Sequence, residues 1–216
     1  MINKVLIRKA EPKDWRKIRA LCCLTGNAGA PIEKSRWEFF SEFWIGPYQK
    51  LCSQWAYVAE NNDVVIGYLT GCPQTSILDK KRFLLFDLPL MVKVFKKKYP
   101  FNPDVKRFLK RTFKFQKGPE RCFPKELYRK LKKDFPAHLH VNVDESFRSL
   151  GIGKNLMEQF FMDLKQVQTS RVSGVHVFCG PKPIKFYNSL NFQELSQIEF
   201  KPQVFVSCLG KSFVSD

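Results

Sequence analysis

The period of apolar and polar positions changes several times along this chain of 216 residues, and each change marks an element. Lys4–Lys9 alternates as a strand. Pro12 opens a helix that runs through Leu24, with Asp14 near the positive end of its dipole. Ser35 is expected to cap a second helix, Arg36–Phe43, which Gly46-Pro47 should end. Trp55–Glu60 and Val64–Gly71 read as strands joined by a tight turn at Asn61-Asn62-Asp63. The pattern then becomes helical and interrupted. Phe83–Val94 contains Pro89 and predicts a kinked or broken helix. Asp104–Phe115 has apolar residues at helical spacing, and Pro124 opens another helix to Phe135. After Pro136 the reading is His138–Val143 strand, Gly151–Val167 helix, Val172–Cys179 strand and Pro183–Leu190 helix. Phe192–Glu199 and Val204–Leu209 close the chain as strands.

Seven strands with interspersed helices predict an α/β (α+β) chain in one domain, residues 1–216. Charge divides that domain unevenly. Residues 79–136 carry 19 basic and 6 acidic side chains, a net of +13 out of the whole chain's +17. One basic helical segment between the third and fourth strands therefore holds most of the charge, which points to a job of its own. Three uses fit it: a solvated helical layer, a cover that recruits an acidic substrate, or a surface for nucleic acid or an anionic membrane.

Composition narrows the classes further. The seven cysteines include no CxxC pair, and the three histidines are not spaced with them as zinc ligands, so no metal site is expected. Reduced, mostly buried thiols in a cytoplasmic protein are the expectation. The opening residues are too charged for a signal peptide, and no apolar run reaches the roughly 18 residues of a transmembrane helix.

The candidate chemistry lies where the fourth strand meets the following helix: Val143-Asp-Glu-Ser-Phe-Arg148-Ser149-Leu150-Gly151-Ile152-Gly153-Lys154. A helix that starts at glycines offers free backbone N–H groups and the positive end of its dipole, which suits a pyrophosphate. Arg148 and Lys154 add charge. A phosphate-binding P-loop would need glycine at 148 and Ser or Thr at 155, where Arg148 and Asn155 stand. A dinucleotide fingerprint from Gly151 would need a small residue at Leu156. A plain glycine-rich helix start remains open on these residues alone.

The Arg148-x-x-Gly151-x-Gly153 motif resembles the pyrophosphate-binding turn of the GNAT N-acetyltransferases. Downstream, Pro183-Ile-Lys-Phe186-Tyr187-Asn-Ser-Leu190-Asn-Phe192 is similar to a second signature of that family, and the order of elements matches its plan. Gly67-Tyr-Leu-Thr-Gly-Cys72, Pro136-Ala-His-Leu-His140 and Gly174-Val-His-Val177 further resemble a subgroup related to the acetyltransferase-like C-terminal domain of O-GlcNAc hydrolases. Asn142 stands where that subgroup often has Asp, Asn191 where the signature has glycine, and the loop Gly180-Pro181-Lys182-Pro183 also departs from it.

The resemblance implies a GNAT fold, with a mixed, mostly antiparallel sheet flanked by helices and a basic helical insertion at residues 79–136. It implies acetyl-CoA as cosubstrate, wedged between strands four and five, and direct attack by an amine acceptor not identified by the sequence, acidic or phosphate-bearing if the insertion recruits it. Asn142, Val143, Arg148, Ser149, Leu150, Gly151, Ile152, Gly153 and Lys154 are the implied cofactor-binding residues. A backbone N–H near Val143 would hold the thioester oxygen. Tyr187 is the implied acid, with Phe186 filling the core position beside it. No single base stands out: His140, Glu60 and ordered water are the candidates, and a Cys179 nucleophile lacks an activating neighbour. The alternatives in other classes are an acyl-CoA-binding sensor or scaffold without catalysis and a nucleic-acid-binding protein on the same scaffold.

Overall fold

The computed structural model describes residues 5–113, 118–166 and 172–213. Seven strands form one sheet: β1 (Leu6–Lys9), β2 (Ala56–Asn61), β3 (Val64–Cys72), β4 (Ala137–Val143), β5 (Gly174–Cys179), β6 (Gln193–Lys201) and β7 (Val204–Ser212). Their spatial order is β1-β2-β3-β4-β5-β7-β6. Every neighbouring pair is antiparallel except β4 and β5. That parallel pair registers only at Ala137 with Val175 and His138 with His176. Beyond those positions the two strands are not paired, so the sheet opens at its centre.

Helices α1 (Trp15–Thr25) and α2 (Trp37–Leu51) cover one face. Helix α7 (Ile152–Gln166) covers the other with Leu156, Met157, Phe160, Phe161 and Leu164, as its apolar spacing predicted. The expected turn between β2 and β3 is present, with Asn62 and Asp63 in the left-handed region. Asp14, buried, accepts two hydrogen bonds from Arg8 at 2.6 and 3.0 Å, and Arg8 also donates to Glu60. This network pins the start of α1 to β1 and β2. It also occupies the Glu60 carboxylate, the candidate base on β2, with the Arg8 guanidinium.

The second helix runs through Gly46-Pro47 instead of ending there. Both residues are buried, and a Cβ at Gly46 would lie 2.5 Å from the Phe86 ring. The glycine serves close packing, not chain reversal, and the continued turn brings Tyr48 to β4. Ser35 does not cap this helix; its hydroxyl donates to Glu33.

Among the described residues, four helices lie between β3 and β4: α3 (Thr75–Arg82), α4 (Leu88–Phe95), α5 (Pro103–Thr112) and α6 (Lys125–Asp134). Helix α3 was not evident from periodicity because Leu78 is its one buried residue. It continues into α4 through a π turn at Phe83–Asp87, and at Pro89, which has no N–H, Lys50 Nζ donates at 2.6 Å to Leu85 O, the carbonyl one turn back. The chain is therefore wound wide before the proline and not broken at it. Phe39 and Phe43 of α2 pack with Phe86, Leu90, Val105 and Phe108. Helix α6 places Leu127 and Leu131 against Cys208 and Phe178. Bidentate Arg36–Asp104 contacts at 2.7 and 2.9 Å and a Lys93–Glu42 pair at 2.5 Å tie α2 to the same segment. Thr75 donates through both its N–H and its hydroxyl to Pro136 O, each at 2.8 Å, so the segment leaves and rejoins the sheet at one point. It thus spans one face of the sheet from α2 to β7, over the side chains of His138 and His176. The predicted end of α5 at Phe115 and of α7 at Val167 lie outside the described residues.

Candidate cofactor cleft between β4 and β5

Strand alternation decides what faces the opening. Asp144 N–H donates to Ile66 O at 2.8 Å, and β3 and β4 keep one register from there to Cys72 and His138. Residues 138, 140 and 142 therefore spend their backbone groups on β3, and Leu139, Val141 and Val143 turn theirs toward β5. On the other wall, the bond from Phe213 N–H to Ser173 O sets the same alternation, so Phe178 turns its backbone toward β4. Val143 O accepts from Arg148 Nε at 3.3 Å. Val143 N–H is left directed into the gap, where the expected carbonyl-holding donor should be.

The turn after β4 follows from its residues. Asp144 caps a short 3-10 turn at Glu145–Phe147 by accepting from Ser146 N–H. Ser149 and Gly151 then adopt φ of +64° and +76°. Left-handed Gly151 precedes the right-handed helical start at Ile152, a pairing that turns successive N–H groups to one side as in a backbone anion nest. In α7 the first inward bond is Asn155 N–H to Gly151 O at 3.0 Å. The N–H groups of Ile152, Gly153 and Lys154 have no partner among the described residues. Nothing lies within 4 Å of where a Gly151 Cβ would sit, so the space over this turn is open.

The other predicted residues divide by role. Arg148 donates through Nη2 to Gly29 O at 2.6 Å, in a tight turn where Ala28 and Gly29 have φ of +50° and +93°. Lys182 Nζ reaches Ala28 O at 3.5 Å. Arg148 therefore joins the loop after α1 to the turn before α7, a contact the sequence did not suggest, although Asn27-Ala-Gly is a turn signal. Gly153 is held for packing: its Cβ would lie 3.1 Å from Phe186. Lys154 sits 3.7 Å from Glu158, both exposed, and Leu150 is exposed. Asn142 points away from the gap, donating to Tyr68 Oη at 2.8 Å.

Tyr187 lies in helix α8 (Ile184–Asn188), and it is Tyr187 that is buried, not Phe186 as the pattern suggested. Phe186 packs on the first turn of α7 instead. The Tyr187 hydroxyl makes no hydrogen bond among the described residues. Burial, with Cys179 nearby, pushes its pKa further above the ordinary tyrosine value, so it stays protonated. Burial likewise pushes the Cys179 thiol up to about 11, which argues against a thiolate nucleophile at neutral pH.

The histidines form a packed layer. Tyr48 Oη lies 2.7 Å from His138 Nε2, and Thr75 Oγ1 lies 2.7 Å from His138 Nδ1. Because Thr75 donates to Pro136 O, Nδ1–H donates to Thr75 and Nε2 accepts from Tyr48. The chain of bonds ends at a backbone carbonyl and is no proton exit. His140 packs edge-on against Trp44 and Tyr48, at 5.9 and 5.5 Å. Burial holds His140 and His176 at pKa values of about 4, and His138 well below its ordinary value. All three are neutral near pH 7.

No family model matches the chain. Solved structures do. SsHAT is 24% identical, with a TM-score of 0.73, covering 98% of this chain and 100% of that one. The chain has the GNAT fold. An N-acetyltransferase from Staphylococcus aureus Mu50 is similar at TM-score 0.55 and 14% identity, covering 97% of this chain and 99% of that one. The yncA protein of Salmonella typhimurium, solved with its cofactor acetyl-CoA, is similar at TM-score 0.55 and 12% identity, with 99% and 96% covered. At these identities the likeness concerns the fold.

Proposed function

We propose that this protein is an acetyl-CoA-dependent N-acetyltransferase that acts on an anionic amine acceptor. The observation that carries the reading is the pairing of two features at one opening. The unpartnered N–H groups of Ile152, Gly153 and Lys154 sit beneath open space at Gly151, and Val143 N–H faces the gap where β4 and β5 part. The first suits a pyrophosphate, the second a carbonyl oxygen. Acetyl-CoA supplies the acetyl group as an activated thioester. The Ser149–Lys154 turn holds its diphosphate, and Val143 N–H takes the carbonyl oxygen as charge develops on it. The neutral amine attacks the carbonyl carbon, the C–S bond breaks, and Tyr187 gives its proton to the sulfur. The amine's surplus proton leaves to water, since no imidazole here has the basicity to take it, and water returns a proton to Tyr187.

The motifs at Gly67–Cys72, Pro136–His140 and Gly174–Val177 support placing the chain near the group related to the O-GlcNAc hydrolase C-terminal domain. Seven free thiols support a reducing, cytoplasmic setting. The acceptor's negative charge follows from a shallow cavity between α2 and α5, lined by Phe43, Trp44, Phe108, Arg107 and Arg111, where the one acid, Asp104, is already paired with Arg36 and Arg107. Trp44, on the cavity wall, also packs edge-on against His140 of β4. Arg111 Nε is buried without a partner, and burial lowers its pKa, so a bound anion would relieve it. The test is an acetylation screen of amines by mass spectrometry. Acidic or phosphate-bearing amines should be preferred, and Arg107→Glu with Arg111→Glu should erase that preference. Retained coenzyme binding with no acetylated product would favour a sensor or scaffold instead.

A further inference from the structure

The segment between β3 and β4 presents a second apolar face, turned away from the protein. From Thr75 to Phe95 the chain winds continuously through α3, the π turn and α4. Leu78, Phe86 and Leu90 point inward and are buried. Ile77, Leu84, Leu88, Val92 and Phe95 recur three, four or seven residues apart, and all are exposed, Leu84 at 63% and Phe95 at 61%. Phe101, just beyond, is 74% exposed. Scattered apolar residues on a surface need no explanation, but a contiguous helical stripe marks an interaction site.

The charges around the stripe say what it meets. Lys80 and Lys81 stand between Ile77 and Leu84, ahead of the run from Leu84 to Phe95, and Lys96, Lys97 and Lys98 follow that run; none of the five is in an ion pair among the described residues. By contrast, Arg82 is paired with Asp87, and Lys93 with Glu42. Asp79 is the one acid of the stretch left outside an ion pair. We propose that this face docks on an anionic lipid bilayer, with the stripe at the acyl boundary and the lysines on the headgroups. An apolar helical face rimmed by lysines is what such an interface takes up in the plane of the membrane, and anionic lipid is concentrated in the cytoplasmic leaflet. A second copy fits worse. Both ends of the stripe are basic, so helices paired in either direction would set lysines against lysines. Nucleic acid would satisfy the lysines and leave the leucines and Phe95 against phosphates.

The experiment is co-sedimentation of the full chain with vesicles of phosphatidylcholine, with and without phosphatidylserine. The wild type should bind the mixed vesicles and not the neutral ones. Each lysine near an anionic surface is worth roughly fivefold in affinity, so K96E/K97E/K98E should weaken binding on the order of a hundredfold. L84S/L88S/F95S, which alters exposed side chains alone, should abolish binding even at low salt, with its circular dichroism unchanged. Failure of the wild type to bind mixed vesicles would overturn the proposal, as would wild-type binding by the serine variant. A wild-type dimer that the serine variant turns into a monomer, without vesicle binding, would make a second copy the occupant and overturn it too.

Discussion

Acidification should unfold this protein earlier than its carboxylates alone would dictate, because its histidines are folded in neutral form. His176 is buried, its Nδ1–H donates to Phe135 O at 2.7 Å, and its pKa is held at about 4 against 6.5 when solvated. The unfolded chain binds a proton there that the folded chain refuses between those two values. Stability is thus intact above about pH 6.5 and is lost as pH falls toward 4. Integrating that single group from pH 7.5 to pH 5 gives a loss of about 2 kcal/mol. For a chain of this size that corresponds to a fall in Tm of roughly 4–8 °C. His140, also near 4, adds a similar loss, but it shares this packed layer with His138 and His176, so the sum falls short of additive. The depressed carboxylates Asp14, Glu42 and Asp163 titrate below this window, whereas burial raises Asp79 and Asp87, which therefore offset part of the loss at its acid end. Urea unfolding followed by tryptophan fluorescence at pH 7.5, 6 and 5 measures the effect. His176→Asn keeps a donor near Phe135 O and should flatten the slope across the window. Equal wild-type stability at pH 7.5 and pH 5, or an unchanged slope in the variant, would refute the reasoning.

Tyr187→Phe should lower turnover by about 10²–10⁴-fold and leave acetyl-CoA affinity within a few-fold, because the ring's packing is kept while the unpartnered hydroxyl is lost; steady-state kinetics beside calorimetry separates the two. Arg148→Ala should free the turn at Ala28-Gly29 and weaken acetyl-CoA binding while the melting temperature moves little, since the bond it removes is exposed; faster hydrogen exchange confined to residues near 27–30 is the expected signature.

Much of the sheet and helices α1 and α7 on it could be read from alternation and helical spacing, since one face of each must be buried. Readings failed where a residue's local meaning yields to a distant contact. Gly46-Pro47 signals a break, yet Gly46 exists to admit Phe86 from a helix some forty positions on. Helix α3 carries Lys80, Lys81 and Arg82 and one inward leucine, too little for a periodic signal. At the cleft, the Ser149–Lys154 turn was legible because backbone N–H groups at a helix start follow from glycine positions. The side-chain roles were not. Asn142 looked like a cofactor contact, but Tyr68 lies across from it on β3 and takes its amide. Arg148 looked like a phosphate ligand and is occupied with Gly29, 119 positions away.

The central claim is that the open turn at Gly151 receives the diphosphate of acetyl-CoA. Isothermal calorimetry with the wild type and Gly151→Glu tests it most directly. Gly151 has free space around its Cβ position, so the substitution should cost the fold only about 1–2 kcal/mol of left-handed backbone strain. Its carboxylate would stand where the diphosphate belongs. The account predicts saturable binding of acetyl-CoA to the wild type and none to a still-folded Gly151→Glu. A wild type that binds no acetyl-CoA, or a variant that binds it as well as the wild type, would contradict it.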